Sequence, residues 1–283
     1  MSELIIKDGI RGVANHALTP DIAYRAGMAF AHILSESFPK GANIVVGNDT
    51  RSSCDMLKAA LSSGICSAGG TVINVSTIPT PALSFLVKKY KAVAAVMIGG
   101  SDASFEYNGI SFFDAHGTRM DDAFTAEIMK YVSGKKAMPS ASEPSAVGRI
   151  KPTHTALRDY ADFVKSFSPK SLGGIKLAID AANGSAYECA KLVFSELGAD
   201  VEMINNRPDG ININASCGTK NFKPLSEYVV SHNRNFGIAF SGDADDFKIV
   251  GKDGQAIDTV CGGDALISAL EILCELIKQE ESK

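Results

Sequence analysis

Short apolar runs alternate with helix-length stretches along the chain. The first clear run is Ile44-Val45-Val46, which ends in the turn-like Gly47-Asn48-Asp49. A helical pattern follows from Asp55 to Ala68, then a β-rich run from Thr71 to Val75. Pro79-Thr80-Pro81 reads as a helix start, because proline suits the first helical turn. Ala94-Ala95-Val96-Met97-Ile98 is a third apolar run. Continuous apolar strands separated by helices of about ten or more residues predict an α/β fold with a parallel sheet.

The rhythm breaks between Ser133 and Pro152, where Pro, Ser and Gly accumulate. It then restarts. The pattern predicts strands over Ile175–Asp180, Asp200–Ile204 and Phe236–Phe240, and a helix from Ser185 to Leu197 closed by Gly198. A last helix, Asp264 to Gln279, carries Leu266, Leu270, Leu273 and Ile277 on one face, widened by Ile267 and Ile272. That face is expected either to fold back on the second domain or to meet another protein. The division is therefore residues 1–140, a linker at 141–155, residues 156–260, and a C-terminal helix at 261–283. The two halves show no strong internal repeat.

Composition narrows the function classes. The 283 residues are 45% hydrophobic and 21% charged, enough for a substantial core. The net charge of −4 and the lack of a Lys/Arg cluster argue against a nucleic-acid partner. The first residues lack a signal peptide's basic and apolar regions, and no run approaches the roughly 18 apolar residues of a membrane span. Cys54, Cys66, Cys189, Cys217, Cys261 and Cys274 form no C-x-x-C pair, so free thiols in a reducing cytoplasm are expected.

Three loops carry candidate chemistry. Gly99-Gly100-Ser101-Asp102-Ala103-Ser104 follows an apolar strand, where open α/β sheets place functional groups; it also reads as an ordinary solvated turn. Ser241-Gly242-Asp243-Ala244-Asp245-Asp246 follows another strand and offers carboxylates for a hard cation, or is merely an acidic turn. Asp8-Gly9-Ile10-Arg11-Gly12 and Asp49-Thr50-Arg51 each present an arginine suited to bidentate phosphate contact, or a structural arginine.

In order, these motifs resemble those of the α-D-phosphohexomutases. Asp8 to Gly12, Gly47 to Arg51, Ile78-Pro79-Thr80-Pro81-Ala82, the Ser101 loop and Asn108-Gly109-Ile110 resemble the family's domain 1. Asp180 to Ala186, Pro208 to Asn214 and Cys217-Gly218 resemble its domain 2, the last two in the manner of the phosphoglucosamine mutase branch. The resemblance implies two consecutive α/β domains with mixed, mainly parallel sheets flanked by helices. It implies phosphoryl transfer through a phosphoserine at Ser101, with Arg11 and Asp102 at catalytic positions, and Asp49 and Arg51 in phosphate or loop contacts. It also implies Mg²⁺ held by Ser101, Asp243 and Asp245.

Several positions depart from the family pattern. Asp102 stands where the family has His, Ser111 where it has Lys, Ser241 where it has a metal-binding Asp, and Asp246 where it has Arg. Near Cys217, Thr219-Lys220-Asn221 lacks the family's His. Nothing resembles domains 3 and 4. Removing cations and adding anions opposes a phosphate of about −2 charge. The expectation is a protein without mutase activity and with weakened or absent Mg²⁺ binding. It would act as a binding or regulatory pseudoenzyme: a homodimer, a mixed dimer with a full-length mutase, or a partner of a regulatory protein such as a diadenylate cyclase. The alternative is residual Mg²⁺-dependent activity or sugar-phosphate binding at Ser101, with domains 3 and 4 supplied by another chain.

Overall fold

The computed structural model describes residues 4–38, 41–260 and 262–281. It divides into two compact units: Met1–Thr77 with Leu83–His154, and Ile78–Ala82 with Thr155–Lys283.

The first unit holds β1 (Ile5–Ile6), β2 (Ile10–Val13), α1 (Pro20–Ser37), β3 (Asn43–Asn48), α2 (Ser53–Ser67), β4 (Thr71–Thr77), α3 (Ala82–Lys89), β5 (Ala94–Ile98), β6 (Tyr107–Phe113), α4 (Asp122–Val132) and β7 (Ile150–Pro152). Its seven strands run in the order β1-β2-β6-β5-β3-β4-β7. The β5-β3-β4-β7 ladder is parallel, and the β1-β2-β6-β5 side is antiparallel. Every residue of β5 is buried, as expected for a strand covered on both faces. Helix α1 starts where Thr19 caps it, its hydroxyl accepting from the Ile22 amide, with Pro20 in the first turn. It crosses α2 closely enough that a Cβ on Gly27 would lie 2.2 Å from the Leu61 carbonyl oxygen, and one on Gly64 2.0 Å from that of Tyr24.

The second unit holds α5 (Ala156–Lys165), β8 (Lys176–Asp180), α6 (Cys189–Glu196), β9 (Asp200–Ile204), α7 (Lys223–Ser231), β10 (Phe236–Phe240), β11 (Phe247–Gly251), β12 (Ala256–Ile257) and α8 (Ala265–Glu281). The strand order is β12-β11-β10-β8-β9, parallel across β10, β8 and β9 and antiparallel at β11 and β12. Both units are thus α/β with mixed sheets flanked by helices.

Several sequence expectations change. The stretch at 141–155 is more than a linker: the amides of Ser142 and Gly148 donate to the carbonyls of Ser67 and Cys66, and Ile150–Pro152 pairs with β4 as an edge strand. Residues 78–82, expected within the first domain, belong to the second unit. The helix expected from Ser185 begins at Cys189, after a turn in which Ala182 and Asn183 take left-handed backbone angles (φ +52° and +49°). The C-terminal helix does not stand apart. Leu266, Leu270 and Leu273 have no exposed surface and Ile277 has 4%, with α8 packed on α5 and β11 inside the second unit. The buried Tyr160 hydroxyl of α5 donates to Asp264, whose carboxylate also accepts from the Leu266 and Ile267 amides at the start of α8. The fold-back alternative holds for this face, and docking of that face on another protein does not.

No helix among the described residues is long and apolar enough to cross a membrane. Cys54, Cys66, Cys189, Cys217 and Cys274 are free and buried; Cys261 lies outside the described residues.

Candidate functional site

In the first unit, β3 and β5 run parallel with Asn48 beside Ile98, so Asp49 and the Gly99–Ser104 loop emerge at the same sheet end. The Asp49 amide donates to the Ile98 carbonyl (2.9 Å). The Asp49 carboxylate accepts from the amides of Arg51 (2.9 Å) and Gly100 (3.0 Å) and pairs with the Arg51 guanidinium. Arg51 in turn donates to the carbonyls of Ser101 (3.2 Å) and Ala103 (2.5 Å). Both side chains of this pair are fully buried.

Arg51 is therefore a loop contact. Its guanidinium faces carbonyl oxygens inside the protein, not a surface where a phosphate would lie. Gly99 and Gly100 allow this approach: a Cβ on Gly100 would sit 2.7 Å from the Arg51 Cζ, and one on Gly99 2.7 Å from an Asp49 oxygen. Ser101 holds a left-handed angle (φ +50°), a strained state for a serine that the clamp maintains. Asp102 sits half-buried in the same turn. Cys54 beneath it donates to Asp49 (3.1 Å), and burial together with the Asp49 charge pushes its thiol pKa well up, so it is a packing group and not a nucleophile.

Arg11 lies across Gly109, where a Cβ would come within 2.7 Å of its side chain. It donates to the Gly99 carbonyl (2.9 Å) and the Ser111 hydroxyl (3.2 Å). A residue that the motifs do not mark joins it. Arg119 donates to the Asp8 carbonyl (3.0 Å) and the Ser111 hydroxyl (3.3 Å), and stacks on Phe113 (5.3 Å). Arg119 sits across a bridge from Phe113, a pairing absent from the linear sequence. Two guanidinium groups thus reach Ser111, the position at which the resemblance implies a basic side chain.

In the second unit, parallel β8 and β10 again deliver two loops to one end. Asp180, fully buried, accepts from the amides of Ala182 (2.9 Å) and Gly218 (3.0 Å); burial pushes its carboxyl pKa up. The Ser185 amide donates to the Gly242 carbonyl (2.8 Å), and a Cβ on Gly184 would meet that oxygen at 2.2 Å. The Thr80 amide donates to the Asp243 carbonyl (2.9 Å), which draws residues 78–82 to this loop.

Ser241 is the centre of its own loop. Its hydroxyl oxygen accepts from the amides of Asp245 (3.2 Å) and Asp246 (3.1 Å). Its proton faces the carboxylates of Asp243 (3.2 Å) and Asp245 (3.0 Å). Asp246 turns back to accept from the Phe247 amide (2.9 Å). Of the Mg²⁺ ligands implied by the resemblance (Ser101, Asp243 and Asp245), this loop supplies the two carboxylates, and the Ser241 hydroxyl is directed at both. Among the described residues no group of three or more His, Cys, Asp or Glu side chains is arranged to hold a metal ion. Asp243 and Asp245 are oxygen donors of the kind a Mg²⁺ ion takes from one or two carboxylates, with phosphate oxygens and waters completing its shell.

Residues 3–138 match the family model for the phosphoglucomutase/phosphomannomutase alpha/beta/alpha domain I, and residues 158–254 match that for domain II. The phosphoglucosamine mutase of Clostridium acetobutylicum is 45% identical over 93% of this chain and 59% of its own length. That of Acetivibrio thermocellus is 40% identical over 99% of this chain and 61% of its own. The chain spans about three fifths of the length of these curated relatives. In fold, it is similar to a phosphoglucomutase/phosphomannomutase family protein from Burkholderia thailandensis, with a TM-score of 0.76, 24% identity, and coverage of 89% of this chain and 56% of that one. It is also similar to the phosphoglucomutase parafusin of Paramecium, with a TM-score of 0.68, 18% identity, and coverage of 87% and 52%. With two domain models matched in order, the chain belongs to the phosphoglucomutase/phosphomannomutase family of α-D-phosphohexomutases.

Proposed function

We propose that this protein is a phosphoglucosamine mutase-like scaffold that does not run the mutase reaction and works by binding: to a second copy of itself, to a full-length mutase, or to a regulatory partner. The observation that carries this reading is the charge of the two loops. Asp102 lies beside Ser101, and Asp246 beside Asp243 and Asp245, in loops that Arg51 and Ser241 hold in place. Phosphoryl transfer depends on fixed positive charge around the transferring group, and local anions oppose it. The replacements lie inside the loops, so the reading holds whatever follows residue 283.

A second reading keeps one specific support: Arg11 and Arg119 both reach Ser111. That leaves positive charge for sugar-phosphate binding at the Ser101 half, with Ser101 as the acceptor. On the first reading, light scattering shows a self-associated species, or a mixed species when a full-length clostridial phosphoglucosamine mutase is added, and a coupled glucosamine-phosphate assay shows no turnover by this chain alone. A monomer that joins neither itself nor the mutase, and that turns over substrate, overturns it.

A further inference from the structure

The sheet of the first unit ends on β7, which pairs only with β4. Every residue of β7 is exposed, and Ile150 keeps 50% of its surface. The Arg149 carbonyl accepts from the Val72 amide (2.9 Å), and the Thr153 amide donates to the Asn74 carbonyl (3.1 Å). The odd-numbered residues thus turn their backbone groups toward β4. The amide and carbonyl of Ile150 and the carbonyl of Pro152 face outward, as the open edge of a sheet. The side chains divide between the two faces. Ile150 is in register with Val72 and Lys151 with Ile73. Val72 belongs to the core that α1 and α2 cover, so Ile150 lies on that face and Arg149 and Lys151 on the opposite one.

That opposite face gathers further positive charge. The Tyr90 hydroxyl, just past α3, lies 3.4 Å from the Thr153 hydroxyl and brings the end of α3 beside β7. Lys88 and Lys91 at that end are exposed, as are Arg149 and Lys151. Among the described residues none of these four enters an ion pair. They are two short groups some 60 positions apart in the sequence, and only the fold joins them. A lysine and a proline on an edge strand discourage pairing with ordinary strands. The same cations favour a strand of opposite charge, so the edge is selective and not simply closed.

We propose that β7 is a docking edge for an extended acidic segment of a partner protein, which adds to the sheet as a further strand. Its acidic side chains lie on the face of Arg149, Lys151, Lys88 and Lys91, and the apolar side chains between them lie beside Ile150. Alternating acidic and apolar residues match both faces at once. A nucleic acid or an acidic helix would meet the charges and leave Ile150 and its outward backbone groups unmatched. This deepens the scaffold reading and rests on it for the existence of a protein partner.

The test is fluorescence anisotropy of a labelled peptide that alternates glutamate with valine, titrated with the full chain at low salt. Saturable binding is expected. Arg149→Glu combined with Lys151→Glu should weaken it about tenfold or more, and Lys88→Glu combined with Lys91→Glu by a smaller factor. Added NaCl should weaken it as well. Hydrogen exchange reads the same contact without a variant: the peptide should slow exchange of the Ile150 amide. The proposal is overturned by a lack of saturable binding, by undiminished binding to the Arg149→Glu, Lys151→Glu chain, or by an Ile150 amide that gains no protection. Equal binding of a single-stranded oligonucleotide of the same charge also overturns it. So does self-association that Arg149→Glu with Lys151→Glu abolishes, since a second copy would then occupy the edge. The scaffold reading fails separately: turnover of glucosamine phosphate by this chain would overturn that reading and leave peptide binding intact.

Discussion

The loop at Ser101 and the loop at Ser241 both follow a buried strand of a parallel ladder, and they are held by opposite means. The first is clamped from a neighbouring strand end by a fully buried ion pair, Asp49 with Arg51, whose guanidinium reaches the loop carbonyls. The second is closed from within by one neutral hydroxyl. A buried charge pair is costly to assemble and more costly to break, because the surviving partner is left charged in a low-dielectric interior. A neutral staple contributes less and is easier to replace. The first loop is therefore held by charge from outside itself, the second by a hydroxyl within it.

Arg51→Ala should produce the largest loss. It strands the Asp49 carboxylate and frees the Ser101 and Ala103 carbonyls, so urea unfolding should show a loss of about 3–5 kcal/mol. A loss below about 1 kcal/mol would mean that the clamp does not carry the loop. The second unit is tied together by packing. Leu270 on α8 is fully buried, and Leu270→Ala should cost about 2–5 kcal/mol by denaturant midpoint if that helix is part of the unit's core. A near-neutral result would reopen the face for docking.

Ser241→Ala removes hydrogen bonds without leaving a buried charge and should cost about 1–2 kcal/mol. An effect equal to that of Arg51→Ala would erase the contrast between the two loops. Asp264 adds a pH dependence. Burial pushes its carboxyl pKa up, against hydrogen bonds from the Ile267 amide, the Tyr160 hydroxyl and the Leu266 amide. A raised folded-state value means that its contribution to stability is fully present below the unfolded pKa of about 3.9 and is lost as pH rises through the folded value. Asp264→Asn should flatten that fall, as read from urea midpoints between about pH 4 and 7. Ser185→Ala should have the smallest effect. Its buried hydroxyl has no hydrogen-bond partner, so its removal should be neutral or stabilising by up to about 1 kcal/mol.

The sequence is most readable where strands are continuous runs: β5 and β10, buried throughout, and the half-buried β9 coincide with the runs that predict them. The antiparallel strands β2, β6 and β11 have no continuous apolar run to mark them: the first two are built from the motif residues themselves, and β11 places Lys248 at the surface. Helix α1 carries little sequence signal, because it buries alanines and glycine on a broad face, with little leucine or isoleucine to mark a stripe. At the site, positions 102, 111, 241 and 246 stand out one by one as departures from the pattern that the resemblance implies. Their consequences depend on side chains brought from afar. Arg119 reaches Ser111 across a bridge, and the Ser241 hydroxyl gains its meaning only from the amides and carboxylates folded around it. The sequence leaves Arg51 open as a phosphate or a loop contact, because its burial is a property of the folded loop, not of its neighbours in sequence.

The central claim is that the frame around Ser101 survives without its phosphoryl-transfer chemistry. Intact-mass spectrometry of the purified chain after incubation with glucosamine bisphosphate and Mg²⁺ tests it most directly. The account predicts an unchanged mass. A gain of one phosphoryl group, located on Ser101 and abolished in Ser101→Ala, would contradict it.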